Sequence, residues 1–78
     1  MPKRTTSSKA FTRLGLNVRR KREVKELSQE SLAAAAELDQ TYISNLEAGR
    51  RNPTFATQLK LAHALGCTVS ELLSGVED

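Results

Sequence analysis

The 78-residue chain has one cysteine, two prolines, four glycines, three aromatic side chains and no tryptophan. A lone cysteine, Cys67, excludes an internal disulfide framework, as expected in a reducing compartment. Sparse Gly and Pro with 27% charged residues describe a soluble helical domain rather than a disordered tail. No apolar run approaches the roughly 18 residues needed to cross a bilayer, and the opening MPKRTTSSKAF lacks the apolar stretch of a secretory signal. A cytoplasmic location and no membrane partner are therefore expected. A chain this short buries only about 60% of its unfolded surface, which leaves room for one small core and no second domain. Catalytic hardware is missing too: there is no His/Cys/Asp/Glu cluster, no phosphate-cradling Gly loop and no nucleophile with an evident base, so an enzyme is not expected. His63 and Cys67 stand four apart, a spacing that can ligate metal, but Gly66 intervenes and no third ligand is evident; no metal and no cofactor are assigned.

Charge is unevenly placed. Residues 1–25 hold nine Lys/Arg and one acid, Glu23, for a balance of +8; residues 26–78 hold three bases and eight acids, for −5. Such polarisation suits a polyanion, nucleic acid or an anionic membrane, and equally a solvated helix with a basic tail.

Hydrophobic period and capping residues predict five short helices around one core, an all-α fold. Residues 1–7 are polar and basic and are expected to form a flexible arm, with residues 8–78 as the folded domain. Ser8 can cap a first helix over residues 9–25, in which Phe11, Leu14 and Val18 share one face. Ser28 caps a second over 29–36 that buries Leu32, Ala33 and Ala36; Asp39 caps a third over 40–48, ended by Gly49. Pro53 or Thr54 opens a fourth with Phe55, Leu59, Ala62 and Leu65 inward, closed by Gly66. Thr68-Val69-Ser70-Glu71 has the spacing of a capping box, so a fifth helix runs through Leu73 and stops at Gly75.

The third helix carries the functional signal. At 100° per residue Ile43 and Leu46 define its buried side, and Gln40, Thr41, Ser44, Asn45 and Ala48 fall on an outward arc of about 140° that holds no charge. Asn and Gln can bond adenine bidentately in the major groove, and Ser or Thr can bond base edges or touch a thymine methyl; a carboxylate on that arc would repel phosphate. Gln40, Thr41, Ser44 and Asn45 are therefore the candidate base-reading residues. Tyr42 stands at the edge of the strip, placed for a phosphate, and Arg50, Arg51 and Asn52 follow the helix as a backbone clamp. The second helix, with small Ala33 for close approach, can prop the third across the groove as a helix-turn-helix.

The run LSQESLAAAAELDQTYISNLEAGRRNPTFATQLKLAHALGCTVSELL, residues 27–73, resembles the XRE-type class of helix-turn-helix regulators, which includes Cro and the phage repressors. The likeness rests on Ser28-Gln29-Glu30, Leu32-Ala33, Ile43-Ser44, Leu46-Glu47-Ala48-Gly49, Pro53, Ala64-Leu65-Gly66 and Ser70-Glu71-Leu72 taken together. It implies a lambda-repressor-like domain whose helices 2 and 3 form the motif. Within the class, ELDQTYISNLEAGRRNP is similar to the small controllers of restriction-modification operons. By the same resemblance Gln29 bonds a DNA phosphate, and Arg22 with Glu47 form an ion pair between helices. Glu37 and Glu26 depart from the class, standing where a turn Gly is usual; left-handed there, each costs roughly 1 kcal/mol relative to Gly.

The resulting expectation is a sequence-specific regulator of transcription that binds double-stranded DNA. One such domain buries too little surface for tight selectivity, so a homodimer on a pseudo-palindromic operator is expected, with Leu61, Val69, Leu72, Leu73 and Val76 of the fourth and fifth helices as candidates for its interface and closure of the monomer core as their alternative role. No segment remains for an effector-sensing domain, so control by the protein's own concentration is expected, and RNA polymerase is a candidate partner. Lys3, Arg4 and Lys9 are candidates for an arm onto adjacent DNA and equally for a tail with no role, while Arg19, Arg20 and Lys21 are expected to add long-range attraction. The competing readings are an antitoxin-like protein-interaction module built on the same fold and a nonspecific nucleoid protein.

Overall fold

A computed structural model describes residues 8–77 of the chain. They form α1 (Ser8–Val24), α2 (Gln29–Ala36), α3 (Gln40–Glu47), α4 (Phe55–Leu65) and α5 (Val69–Leu72), with no strand among the described residues. The expected arm, with Lys3 and Arg4, lies outside the described residues.

Local chemistry explains most boundaries. Ser28 Oγ accepts from the Ser31 N–H at 3.0 Å and Thr54 Oγ1 from the Thr57 N–H at 3.1 Å, each satisfying an otherwise orphan donor. Thr68 and Glu71 form the reciprocal box: the Glu71 N–H donates to Thr68 Oγ1 at 3.0 Å and the Thr68 N–H to Glu71 Oε1 at 2.8 Å. The Thr68 N–H and then the Thr68 hydroxyl, both donating to Glu71 Oε1, hold the Glu71 carboxyl below the usual carboxylate range. Two expected caps differ. Ser8 is already helical, and Asp39 has the extended backbone of a cap but makes no capping bond with its side chain.

Both turn glutamates adopt the left-handed conformation, Glu26 at φ 57° and Glu37 at φ 59°. What holds them is the bonding around them. The Leu27 N–H reaches back to the Arg22 carbonyl at 3.0 Å and the Leu38 N–H to the Ala33 carbonyl at 2.8 Å, closing α1 and α2 as a glycine-ended helix would close.

Val18, Leu32, Ile43, Leu46, Leu61 and Leu72 are completely buried and form the centre of the core. Phe11 is half-buried, not fully inside. α4 corrects the expected pattern: Phe55 is 65% and Leu59 48% exposed, while Leu61, Ala62 and Leu65 point inward. Both stripes have helical spacing, and packing of α4 on α2 and α5 selects the second. The dimer assignment changes as well. Leu61 and Leu72 are consumed by the core of the single chain and have no area left for a second copy, while Val69, Leu73 and Val76 are half-buried against that core. α5 is secured by buried Asn17, whose Nδ2 donates to the Leu72 and Ser74 carbonyls, both at 2.8 Å.

Gly15 in mid-α1 brings two backbones together. A Cβ there would lie 2.7 Å from the Glu47 carbonyl oxygen and closer still to that of Leu46, so α1 rests directly on the last turn of α3. This contact, with α2 on the other side, sets the pose of α3.

Candidate nucleic-acid interface

α3 is an eight-residue helix whose two faces differ sharply. Ile43 and Leu46 are fully buried, whereas Gln40, Thr41, Ser44 and Ala48 are exposed and Asn45 and Tyr42 half-buried. The four base-reading candidates thus lie along one outward side, with Ala48 leaving a gap in which a flat surface can approach closely. Arg50 Nη1 donates to Asn45 Oδ1 at 3.4 Å, a long and exposed bond that leaves the Asn45 amide hydrogens free to turn outward.

At the exit of α3 the Arg51 guanidinium lies 4.7 Å from the centroid of the Tyr42 ring, within cation–π range. Tyr42, Arg50, Arg51 and Asn52 line a concavity of about 380 Å³ with Thr54 and Thr57 from the start of α4. Two guanidinium groups, a phenol, an amide and hydroxyls around one open hollow form a donor-rich surface suited to phosphate oxygens. The structure therefore brings the expected clamp residues together.

Arg22 and Glu47 are paired. Arg22 Nε donates to Glu47 Oε2 at 2.7 Å and Nη2 to Oε1 at 3.0 Å, a two-point contact with the carboxylate side chain only 4% exposed. Arg22 Nη1 also donates to the Leu27 carbonyl at 2.8 Å, joining α1, the turn before α2 and the end of α3. Hydrogen bonding to Glu47 pushes the guanidinium pKa up, against the lowering effect of its own burial, so the guanidinium stays charged.

Gln29 belongs to this network, which sequence spacing did not indicate. Its Nε2 donates to Glu47 Oε1 at 3.1 Å, so the side chain assigned to a phosphate is held by the ion pair. One amide hydrogen remains available, and it is aimed by a partner. Sequence reasoning missed two further features: the Gly15 contact under α3, and Arg19, which lines a hollow beside Ser44 and Ala48. A glycine inside a helical pattern was the available signal for the first.

Elsewhere, His63 is exposed and Cys67 half-buried, and burial pushes the Cys67 thiol pKa up. Among the described residues no three His, Cys, Asp or Glu side chains gather as metal ligands. No described helix is long and apolar enough to cross a membrane.

Comparison with known proteins places this geometry. The helix-turn-helix model HTH_3 matches residues 18–72. Control protein C.MunI of Mycoplasma sp is 46% identical over 57 residues, spanning 73% of this chain and 77% of that protein. An uncharacterised HTH-type transcriptional regulator of Sinorhizobium fredii, y4dJ, is 43% identical over 65 residues, 83% of this chain and 84% of its own. Among solved structures, the restriction-modification controller protein C.AhdI from Aeromonas hydrophila aligns with a TM-score of 0.78 at 40% identity, covering 80% of this chain and 94% of that one.

Proposed function

The chain belongs to the HTH_3 helix-turn-helix family, and from that premise we propose that it is a sequence-specific DNA-binding regulator of transcription that reads a pseudo-palindromic operator as a dimer. The observation that carries this reading is the outward side of α3, where Gln40, Thr41, Ser44 and Asn45 offer donors and acceptors without charge and cationic Arg50 and Arg51 follow directly. In the major groove the amides of Gln40 and Asn45 discriminate bases, and Thr41 and Ser44 add shorter-range contacts. Tyr42, Arg50, Arg51 and Asn52 hold the backbone, and Gln29, steadied by Glu47, takes a phosphate at the start of α2. The likeness to control proteins supports a role as controller of a restriction-modification operon, regulated by its own concentration through linked dimerisation and operator binding.

Selection of bound duplexes from a random pool tests the reading. Two half-sites about one helical turn apart should be enriched. Gln40→Ala and Asn45→Ala should each relax preference at one or two positions per half-site, with a loss of about 1–3 kcal/mol in discrimination. An unchanged motif in both variants refutes base reading by this strip.

For the dimer we propose the apolar pair that the core leaves over on α4, Phe55 and Leu59, one turn apart on its outward side; the other large exposed apolar residue, Val24, stands alone at the end of α1. Phe55→Glu should raise the dimer dissociation constant about 10- to 100-fold, the cost of losing one buried aromatic contact, with little change in monomer melting. Sedimentation equilibrium measures this, and an unaltered dimer would place the interface elsewhere.

A further inference from the structure

We propose that Arg19 and the hollow beside it form a second phosphate seat, flanking the outward strip of α3 on the side opposite the Arg50–Arg51 clamp, and that Glu23 is the internal counter-ion Arg19 must leave to occupy it. The inference rests on the DNA-binding reading above and deepens it. α1 touches the last turn of α3 at Gly15. Arg19 and Arg22 follow Gly15 by four and seven residues, so both emerge on the side of α1 that faces α3. Together with Gln29, Ser44, Glu47 and Ala48 they line a hollow of about 330 Å³ that opens at the Ser44–Ala48 edge of the strip.

The charges in this hollow are not equivalent. Glu47 is saturated by two bonds from Arg22 and one from Gln29, so that pair cancels and the remaining charge of the lining is that of Arg19. Arg19 has no buried partner. Its Nε donates to Glu23 Oε2 at 3.1 Å in a contact whose two side chains are 59% and 53% exposed. An exposed pair of this kind favours its closed state by a factor of at most about five, so an arriving phosphodiester with two oxygens for the guanidinium fork can displace the carboxylate. Arg19 and Glu23 then separate: the guanidinium turns toward Ser44 and Ala48, and Glu23 returns to solvent one turn away. Since Glu23 both competes for Arg19 and repels phosphate, it lowers affinity for every duplex and leaves preference among sequences unchanged.

Titration of operator and random duplexes at several salt concentrations, with Arg19→Ala, Glu23→Gln and the double variant, tests this. Arg19→Ala should weaken both duplexes by about tenfold and lower the salt slope by about one, with the ratio between duplexes retained. Glu23→Gln should tighten both about threefold in the parent and not at all once Arg19 is gone. An unaltered slope in Arg19→Ala overturns the seat; equal tightening by Glu23→Gln in both backgrounds overturns the competition, leaving only long-range repulsion. Melting curves within a few degrees of the parent separate these effects from folding. A parent protein that binds duplexes without selecting a motif fails the base-reading proposal and still tests the seat through its salt slope. A parent that binds no duplex at all overturns both.

Discussion

Glu47→Ala is expected to destabilise the domain by about 3–5 kcal/mol and to lower its melting temperature by roughly 15–30 °C. The carboxylate is almost wholly buried and accepts from Arg22 Nε, Arg22 Nη2 and Gln29 Nε2. Truncation leaves a guanidinium of which only Nη1 still has its partner, the Leu27 carbonyl, together with a small void against the last turn of α3. An uncompensated buried charge is costly where the intact pair is close to neutral in energy. Domain stabilities run to about 5–15 kcal/mol and a 78-residue chain, with its small core, belongs at the low end, so a loss of this size should leave a large fraction of the variant unfolded near 37 °C.

The same variant separates folding from contact. Glu47 lies behind Arg22 and Gln29 and offers the outward strip no contact of its own, so operator affinity lost at 37 °C should largely return near 10 °C, apart from the shares owed to Gln29, no longer steadied, and to the Arg22 charge, no longer cancelled in the hollow beside Ser44. The double change Arg22→Met with Glu47→Leu, which removes both charges and keeps apolar volume, should recover most of the lost stability. Retention of the full melting temperature in Glu47→Ala, read by circular dichroism, would reject the structural role of the pair.

The architecture was readable where its causes are local. Ser28, Thr54 and the Thr68–Glu71 box mark helix starts through bonds that span three residues, and the period of Leu32, Ala33, Ala36, Ile43 and Leu46 fixes which sides of α2 and α3 are buried. The Arg22–Glu47 pair was legible only through resemblance, since the partners lie 25 residues apart. Features that depend on which surfaces meet were not legible. α4 has two apolar stripes at helical spacing that share Ala62 and Leu65, both inward as expected, and only its seat on α2 and α5 decides that Leu61 is inside and that Phe55 and Leu59 remain outside. Gln29 was assigned to phosphate alone because nothing in its neighbourhood in sequence announces Glu47, a residue of another helix. The outward strip was the easiest part to find, because an exposed helix face without charge is unusual in a chain so rich in Lys, Arg and Glu.

Gly15→Ala should have the other large effect, in a direction opposite to that of most such changes. In a helix interior, alanine usually stabilises relative to glycine by about 0.5–1 kcal/mol because it restricts the unfolded chain. Here the new methyl would meet the carbonyl oxygens of Leu46 and Glu47 and lie 2.9 Å from the Glu47 carbonyl carbon. All three are backbone atoms of the last residues of α3, so no rotamer change can relieve the contact. α1 and α3 must separate by about 1 Å, and overpacking of this kind typically costs about 1–3 kcal/mol in addition to the lost helical gain. We expect a net loss of about 2–3 kcal/mol and a melting temperature lower by roughly 10–20 °C. The displacement also tilts α3 and lengthens the Arg22–Glu47 contact, so binding should suffer even at temperatures where the variant is fully folded. That residual loss distinguishes Gly15 from Glu47: at 10 °C the Gly15→Ala variant should still bind operator at least tenfold more weakly than the parent, since small misplacements at a bidentate base contact forfeit about 1–3 kcal/mol. A variant that melts higher than the parent would show that α1 does not rest on the end of α3, and the pose of the outward strip would then have to be set by α2 alone.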